Sequence, residues 1–464
     1  MKLYNTLSKN KEVFKAIEPG VVRMYSCGPT VYGYIHIGNA RPMVVFDTLR
    51  RYLEYKGYKV LHAQNYTDVD DKIINLSVKE GVPASQISER FIAECQVDET
   101  GLGILSHTFK PKVTEEMHSI ISMIASLLEA GMAYENNGTI YYNTAKFPQY
   151  GCLSGKNIED LESGARVETD EKKLSPSDFV LWKPAKPSEP FWEAPWGQGR
   201  PGWHIECSAM IHSYLGETID IHAGGEDLIF PHHENEIAQS QALSGAPLAN
   251  YWLHNSFVNI DNQKMAKSRG NFFTVRDISK KYPYDVIRFL LVSAHYRMPL
   301  NFSEDLLVAC QNGLRRIKNC AEKLATKPCA QATMNEAERA ILAEADKFRV
   351  LFEAALDNDL NTADGVSAIF ELVRFSNTHA ENASKELAQG LLKLLTQLCT
   401  CLGINLQKAS PQADITIKIE RLIQERQQAK QAKNFNKADE IRNQLLELGV
   451  SIKDTREGTS WTII

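Results

Sequence analysis

The segment 21–64 restricts the fold more than any other stretch of this chain. It opens with Val21-Val22-Arg23-Met24-Tyr25-Ser26, whose composition and length predict a buried strand. A polar turn with glycines at 28, 33 and 38 follows. A helix is predicted from about Arg41-Pro42 to Lys56, with Pro42 in its first turn and Gly57 just past its end. Tyr58 to Gln64 reads as the next parallel strand. This is a βαβ unit, and its polar turn lies at the carboxyl end of the first strand, where open α/β sheets bind ligands. The pattern returns later: strand Thr218 to Ala223, turn Gly224-Gly225-Glu226-Asp227, helix opening at Pro231, and a further strand Tyr251 to Val258.

The expected fold class is therefore α/β, a split Rossmann-like doubly wound parallel sheet with an insertion, followed by an α-helical bundle and a small C-terminal domain. Residues 1–110 and 201–304 read as the two halves of a catalytic domain, and 111–200 as the insertion between them. Within 176–201 lie six of the 18 prolines and three tryptophans (Trp182, Trp192 and Trp196), with Trp203 just beyond. Such a stretch is irregular but packed, an active-site wall and not a linker. From about 305 long helical patterns take over, with a cap-rich break at Asp357-Asn358-Asp359. Residues 305–404 read as the bundle and 405–464 as the last domain. There, a basic amphipathic helix is expected over roughly Ile417 to Lys433, and Asn436 is expected to cap another that ends at Gly449.

Composition narrows the function. No run of about 18 apolar residues predicts a membrane span. Nine cysteines without framework spacing fit free thiols in a reducing cytoplasm. A net charge of −5 excludes a protein coated in basic surface, so a nucleic-acid partner must be met by local patches.

The chemistry concentrates in two places. The first pairs the turn Gly28-Pro29-Thr30-Val31-Tyr32-Gly33-Tyr34-Ile35-His36-Ile37-Gly38-Asn39 with the distant Lys264-Met265-Ala266-Lys267-Ser268. An imidazole, backbone amides at a helix start, two lysines and a hydroxyl supply the donors and charge that phosphoryl or nucleotidyl transfer requires. Gly38 would let a nucleotide approach the backbone. The Gly224-Gly225-Glu226-Asp227 turn would let adenosine approach closely, with His222 an additional candidate. The second place is the set Cys27, Cys207, His232 and Glu236, in which His232 and Glu236 share a helix face at i,i+4 spacing. Two thiols, an imidazole and a carboxylate suit tetrahedral zinc. From spacing alone, with no Cys-x-x-Cys, the ordinary reading is core cysteines and the polar start of a helix.

The two phosphate-type motifs, paired in this order, closely resemble the His-Ile-Gly-His and Lys-Met-Ser-Lys-Ser signatures of class I aminoacyl-tRNA synthetases, with Asn39 in place of the second His and Ala266 in place of the first Ser. Cys27, Asn39, Gly202-Trp203-His204-Ile205-Glu206-Cys207-Ser208 and Phe230-Pro231-His232-His233-Glu234-Asn235-Glu236 further resemble the cysteinyl-tRNA synthetases, over essentially the whole chain. The resemblance implies one Zn²⁺ on Cys27, Cys207, His232 and Glu236, binding the substrate thiol beside Cys27 and Trp203. It implies ATP, with Mg²⁺, on Gly28, His36, Gly38, Asn39, Gly224, Gly225, Asp227 and Lys267, and catalytic roles for His36, Asn39, Lys264 and Lys267. Thr67, Asp68 and His204 are further candidates for the pocket. The implied partners are L-cysteine, ATP and tRNA(Cys), with no membrane, for a cytoplasmic monomer. The tail carries Arg421, Arg426, Lys430, Lys433, Lys437 and Arg442 with Phe435 and Trp461, and the resemblance implies that this region reads the anticodon. The alternatives are a ligase joining activated cysteine to a small-molecule amine, which lacks such a tail, and a non-catalytic tRNA-binding paralogue.

Overall fold

The structure, a computed structural model, describes the chain except for residues 157–172, 188, 261–262, 265–272, 327–330, 407–418, 420–421, 428, 431–433, 449, 456–457 and 464. The chain divides into two compact units, Met1–Ile404 and Asn405–Ile464.

In the first unit a hairpin, β1 (Lys2–Asn5) and β2 (Asn10–Val13), precedes β3 (Val21–Ser26), α1 (Ile37–Tyr55) and β4 (Lys59–Gln64). Two helices follow, α2 (Asp71–Glu80) and α3 (Ala84–Gly101), and then α4 (Met117–Glu129). The insertion contributes β5 (Ala133–Asn136), β6 (Thr139–Tyr142), β7 (Phe179–Pro184) and β8 (Gly199–Pro201), an antiparallel sheet in sequence order. Trp182 is fully buried in this layer. The second half of the main sheet comes from α5 (Trp203–Leu215), β9 (Ile219–Gly225), α6 (Glu234–Ser244) and β10 (Ala249–Asn255). Its order is β10-β9-β3-β4, and every pairing is parallel. Because β3 pairs with both β4 and β9, the carboxyl ends of two strands almost two hundred residues apart stand side by side, with Ser26 opposite Gln64 and Ala223.

Beyond the sheet run β11 (Val258–Ile260), β12 (Gln263–Lys264), α7 (Val275–Ser279), α8 (Tyr284–Val292) and β13 (Leu300–Phe302). The helices α9 (Glu304–Thr326), α10 (Glu336–Asp357), α11 (Thr362–His379) and α12 (Lys385–Cys401) complete the unit. Asn358 to Asn361 separate α10 from α11, and Asp359 there is buried and accepts from Tyr4 N–H, Tyr296 Oη and Arg297 Nε. In the second unit α13 (Phe435–Glu447) precedes a hairpin, β14 (Val450–Thr455) and β15 (Gly458–Ile463). Its small core gathers Ile419, Leu422, Ile441, Leu445 and Val450, with Trp461 packed against it.

Local chemistry shifts several expected boundaries. α1 starts at Ile37, four residues before the expected Arg41, because His36 caps it. Pro42 therefore sits inside the helix, beyond its first turn. The regular helix expected from Pro231 opens only at Glu234, after a π-type turn, Ile229–His233, in which Phe230 is extended. α13 is capped by Asn434 and not by Asn436, since the Asn434 side chain accepts from Lys437 N–H. The expected strand from Tyr251 to Val258 is two strands, because residues 256–257 turn their carbonyls onto Arg41. That guanidinium is buried and donates to the carbonyls of Ser256, Phe257, His295 and Met298 at 2.5–3.2 Å, tying α1 to both segments.

Candidate active site

The turn after β3 is held to β4 by close backbone packing. Gly28 N–H donates to Asn65 Oδ1 at 2.9 Å, and a Cβ on Gly28 would lie 1.7 Å from the Asn65 carbonyl oxygen, so only glycine fits. Val31 N–H bonds the Thr67 carbonyl. The turn then runs to His36, whose Nδ1 accepts from Asn39 N–H at 3.2 Å while Asn39 Oδ1 accepts from His36 N–H at 3.3 Å. This reciprocal cap satisfies two helix-start amides. It also makes Nδ1 an acceptor, so the neutral ring carries its proton on Nε2.

Four elements bring the thiols, the imidazole and the carboxylate together. Cys27 directly follows β3, Cys207 lies in the second turn of α5, His232 lies in the π-type turn, and Glu236 is in the first turn of α6. α5 can start where it does because Gly202 packs on β7, where a Cβ would meet the Val180 carbonyl oxygen at 1.9 Å. One donor atom from each of the four lies within 4.8 Å of every other. Cys27 Sγ is 3.9 Å from Cys207 Sγ and 3.7 Å from Glu236 Oε1, and His232 Nε2 is 3.0 Å from Glu236 Oε1. Donors about 2.0–2.3 Å from one tetrahedral zinc sit roughly 3.3–3.8 Å apart, so both the chemistry and the spacing fit the metal.

The electrostatics hold two of the four donors, Glu236 and Cys207, toward the deprotonated form that a metal needs. Burial works against ionising Glu236, but His222 and His232 outweigh it and hold the carboxyl at about 2. Cys207 falls to about 6, chiefly through the hydrogen bond from Cys27 and further through His232, against the effect of burial. Burial also opposes the charge on His232, yet Glu236 and Cys207 raise it to about 10. Cys27, desolvated and beside Cys207, is the thiol that stays protonated, well above its ordinary value.

A second set shares two of these donors, since Cys27, His222, His233 and Glu236 also lie within 4.8 Å of one another. His233 Nε2 is 3.3 Å from Cys27 Sγ, and its Nδ1 is 2.8 Å from His254 Nε2. His254 Nδ1 in turn meets Thr6 Oγ1 at 2.7 Å, and His222 Nε2 meets Glu236 Oε2 at 2.7 Å. His233, His254, Thr6 and Asn65 were not among the sequence candidates. Only His233 carried a signal, its place beside His232; Thr6 and His254 are 248 residues apart in the chain.

The other predicted residues divide clearly. A cavity of about 550 Å³ is lined by Cys27, Gly28, His36, Gly38, Asn39, Trp203, Gly225 and Asp227, together with residues 255–258. Trp203 opens α5 half-exposed, its ring stacked on His232 with centroids 4.3 Å apart. Gly224 does not line the cavity; it stays within β9 against the His233 ring. His204 Nδ1 is 3.0 Å from His232 Nδ1, and Asp68 is spent on Thr114. Thr67 Oγ1 accepts from Asn65 Nδ2 at 3.1 Å. Lys264 lies on β12, paired with Asn259, whereas Met265, Ala266, Lys267 and Ser268 fall outside the described residues. Past them, Phe273 to Val275 returns to the turn: Ile37 N–H bonds the Phe273 carbonyl and Val275 N–H the Ile35 carbonyl.

Three family descriptions match the chain in order. They are the class I (C) tRNA synthetase catalytic domain at residues 13–312, the DALR domain at 351–407, and the cysteinyl-tRNA ligase anticodon-binding domain at 412–461. A cysteine–tRNA ligase of Lachnospira eligens is 54% identical over all of both chains, and one of Clostridioides difficile is 53% identical over 99% of each. Among solved structures, a methionyl-tRNA synthetase of Mycobacterium tuberculosis with methionyl-adenylate has a TM-score of 0.58 at 14% identity, covering 82% of this chain and 89% of that one. A leucyl-tRNA synthetase ternary complex of Agrobacterium radiobacter has a TM-score of 0.60 at 12% identity, covering 85% and 86%. These two likenesses are of fold. With a catalytic-domain match over most of the chain and full-length relatives above half identity, the chain belongs to the cysteine–tRNA ligase family of class I aminoacyl-tRNA synthetases.

Proposed function

We propose that the chain joins L-cysteine to tRNA(Cys) in two steps. The cysteine carboxylate attacks the α-phosphate of ATP, forming cysteinyl-adenylate and releasing pyrophosphate. The terminal ribose hydroxyl of the tRNA then attacks the acyl carbon and releases AMP. The observation that carries this reading is one cavity with Cys27 and Trp203 on its wall together with His36 and Asn39. The groups that would meet a thiol and those that would meet a triphosphate are thereby within one substrate's reach.

The chain's residues then take these roles. Cys27, Cys207, His232 and Glu236 hold one Zn²⁺, with His222 and His233 behind them. Bound there, zinc supplies a borderline-soft centre that takes a thiolate far more readily than a serine hydroxyl, a discrimination that apolar contacts alone supply poorly. Trp203 walls the amino-acid pocket. His36 donates its Nε2–H to the triphosphate, which Mg²⁺ accompanies. Asn39, whose Oδ1 already takes the His36 amide, offers its NH₂. Lys264 and Lys267 place positive charge on the developing phosphorane, and Gly28, Gly38, Gly225 and Asp227 bring backbone or carboxylate to the nucleotide, whereas Gly224, expected there from the sequence, stays against His233. No side-chain nucleophile is needed; position and electrostatics do the work.

We read 1–110 and 201–304 as the catalytic halves, 111–200 as the insertion, 305–404 as the bundle and 405–464 as the anticodon reader of a cytoplasmic monomer. The test is cysteine-dependent ATP–pyrophosphate exchange, followed by charging of tRNA(Cys), with serine as control. Exchange with cysteine and not serine, together with charging, is the expected result. Exchange without charging would instead favour a ligase acting on a small amine, and loss of both would overturn the reading.

A further inference from the structure

Among the described residues that line the cavity, Lys72 is the only lysine or arginine. It stands in the first turn of α2, and its Nζ lies 5.3 Å from the centroid of the Tyr32 ring, over a residue of the phosphate turn. No carboxylate among the described residues is within ion-pair distance of it. The adjacent Asp71 is engaged elsewhere, by Lys183 at 2.8 Å and by Arg200. Helix stability does not account for this lysine either. A cation in the first turn opposes the helix dipole, and the cap is already supplied by Asp70, whose side chain accepts from Lys72 N–H at 2.8 Å. The sheet order puts α2 on the β4 flank of the cavity, whereas Asp227 follows β9 on the other side of β3. The cavity therefore has one cationic flank and one anionic flank, and among the described residues the cation has an aromatic ring beside it but no carboxylate.

We propose that Lys72 is a phosphate-binding residue of this cavity. An aromatic face steers the ammonium without neutralising it, and so leaves its charge for a ligand. A phosphate group is the anion that both nucleotide substrates bring. It is either the triphosphate of ATP or the phosphodiester next to the terminal ribose of the RNA. Lys72 lines the cavity and is solvent-exposed, so either source can reach it. The inference rests on the activity proposed above.

The experiment uses the full chain with Lys72→Gln and Lys72→Arg, in two arms. The first is cysteine-dependent pyrophosphate exchange at varied ATP, without RNA. The second is charging at varied tRNA(Cys) and varied salt. Lys72→Gln is expected to raise KM for the tRNA about tenfold, the scale of one lost charge-assisted hydrogen bond. It should leave kcat within about twofold, flatten the salt dependence by about 0.7 in log–log slope for one single-strand phosphate contact, and be largely rescued by Lys72→Arg. A rise confined to KM for ATP, again rescued by arginine, supports the same phosphate-binding role with ATP as the source. Unchanged KM in both arms overturns the proposal while leaving the activity intact. So does equal impairment by glutamine and arginine. A wild-type chain without cysteine-dependent exchange overturns the activity itself.

Discussion

The thiol–imidazole cluster and the nucleotide wall share a cavity, yet they are built on opposite plans. The cluster is interior. Cys207, His232 and Glu236 are essentially inaccessible; behind them His222 bonds Glu236, and His233 and His254 form a hydrogen-bonded chain ending at Thr6. The proposed nucleotide wall is peripheral, a glycine-bearing turn and a helix cap, with Tyr34 and Phe257 substantially exposed. Telling sulfur from oxygen requires fixed donors kept from water, because the difference lies in metal–ligand bonding that a loose site would average away. Binding and releasing a nucleotide each turnover requires an open mouth. The two plans should fail differently when damaged.

The largest expected effect comes from the interior. Cys207→Ser, or removal of the metal by chelation, should lower kcat/KM for cysteine about 10³-fold or more while KM for ATP moves only a few-fold, because a site built around one ligand group loses most when that contact goes. Equal losses for the two substrates would erase the contrast and make the metal structural.

Lys267→Ala comes next. Adenylate formation should slow by about 10²–10³, the scale of one preorganised charge partner, at unchanged cysteine affinity. Rapid-quench kinetics at near-normal rates would remove this lysine from the chemistry.

A smaller effect separates the two overlapping donor sets. His232→Ala should abolish stoichiometric zinc, while His233→Ala should lower zinc affinity only about 10–100-fold, as for a residue that orients ligands without binding metal. Metal analysis with the pattern reversed would assign the ion to Cys27, His222, His233 and Glu236.

The smallest effect tests why the cluster's histidine charges at all. His232 is held up by a carboxylate and a thiolate, whereas for His62 and His107, edge-to-face at 4.6 Å, burial is not offset, though Asp47 acts weakly on His107. Burial, with the nearby Lys110 and Arg50, pushes both down, His107 to about 3, and His107 also lowers His62. As pH falls below about 6.5 the unfolded chain protonates these rings and the native chain does not, so stability falls with pH until their native values are reached. His107→Gln should remove about 1–2 kcal/mol of the stability lost between pH 7.5 and 5, measured by urea unfolding. An unchanged pH profile would mean that the ring titrates normally.

Legibility in the sequence followed the range of the interactions. β3 was readable because an apolar strand declares itself within six residues, and the place of Cys27 followed from it. The start of α1 was not, because its cap is an imidazole and not one of the usual Ser, Thr, Asp or Asn side chains, so the first useful signal was Pro42. His232 and Glu236 were found through a helical spacing that holds across their contact even though the regular helix begins between them. The supporting layer was invisible, because nothing local joins Thr6 to His254 or Gly28 to Asn65; these pairs exist only once the sheet has ordered its strands. Resemblance supplied the ligand set that spacing alone left open.

The pairing of β3 with both β4 and β9 has a consequence for how the molecule is made. Cys27 and Cys207 are 180 residues apart and meet only through that arrangement. At about 5–20 residues per second, a ribosome emits the second thiol roughly 10–40 s after the first. During that interval the nascent chain can pair β3 with β4 but has no β9 to close its other edge, and two of the four donors have yet to emerge when Cys207 does. Uptake of the proposed zinc would therefore mark the joining of the sheet's two halves, before β10 is added. A pulse of metal given to stalled chains of increasing length should be retained only by those that extend beyond Glu236 and have released it from the ribosome's exit tunnel.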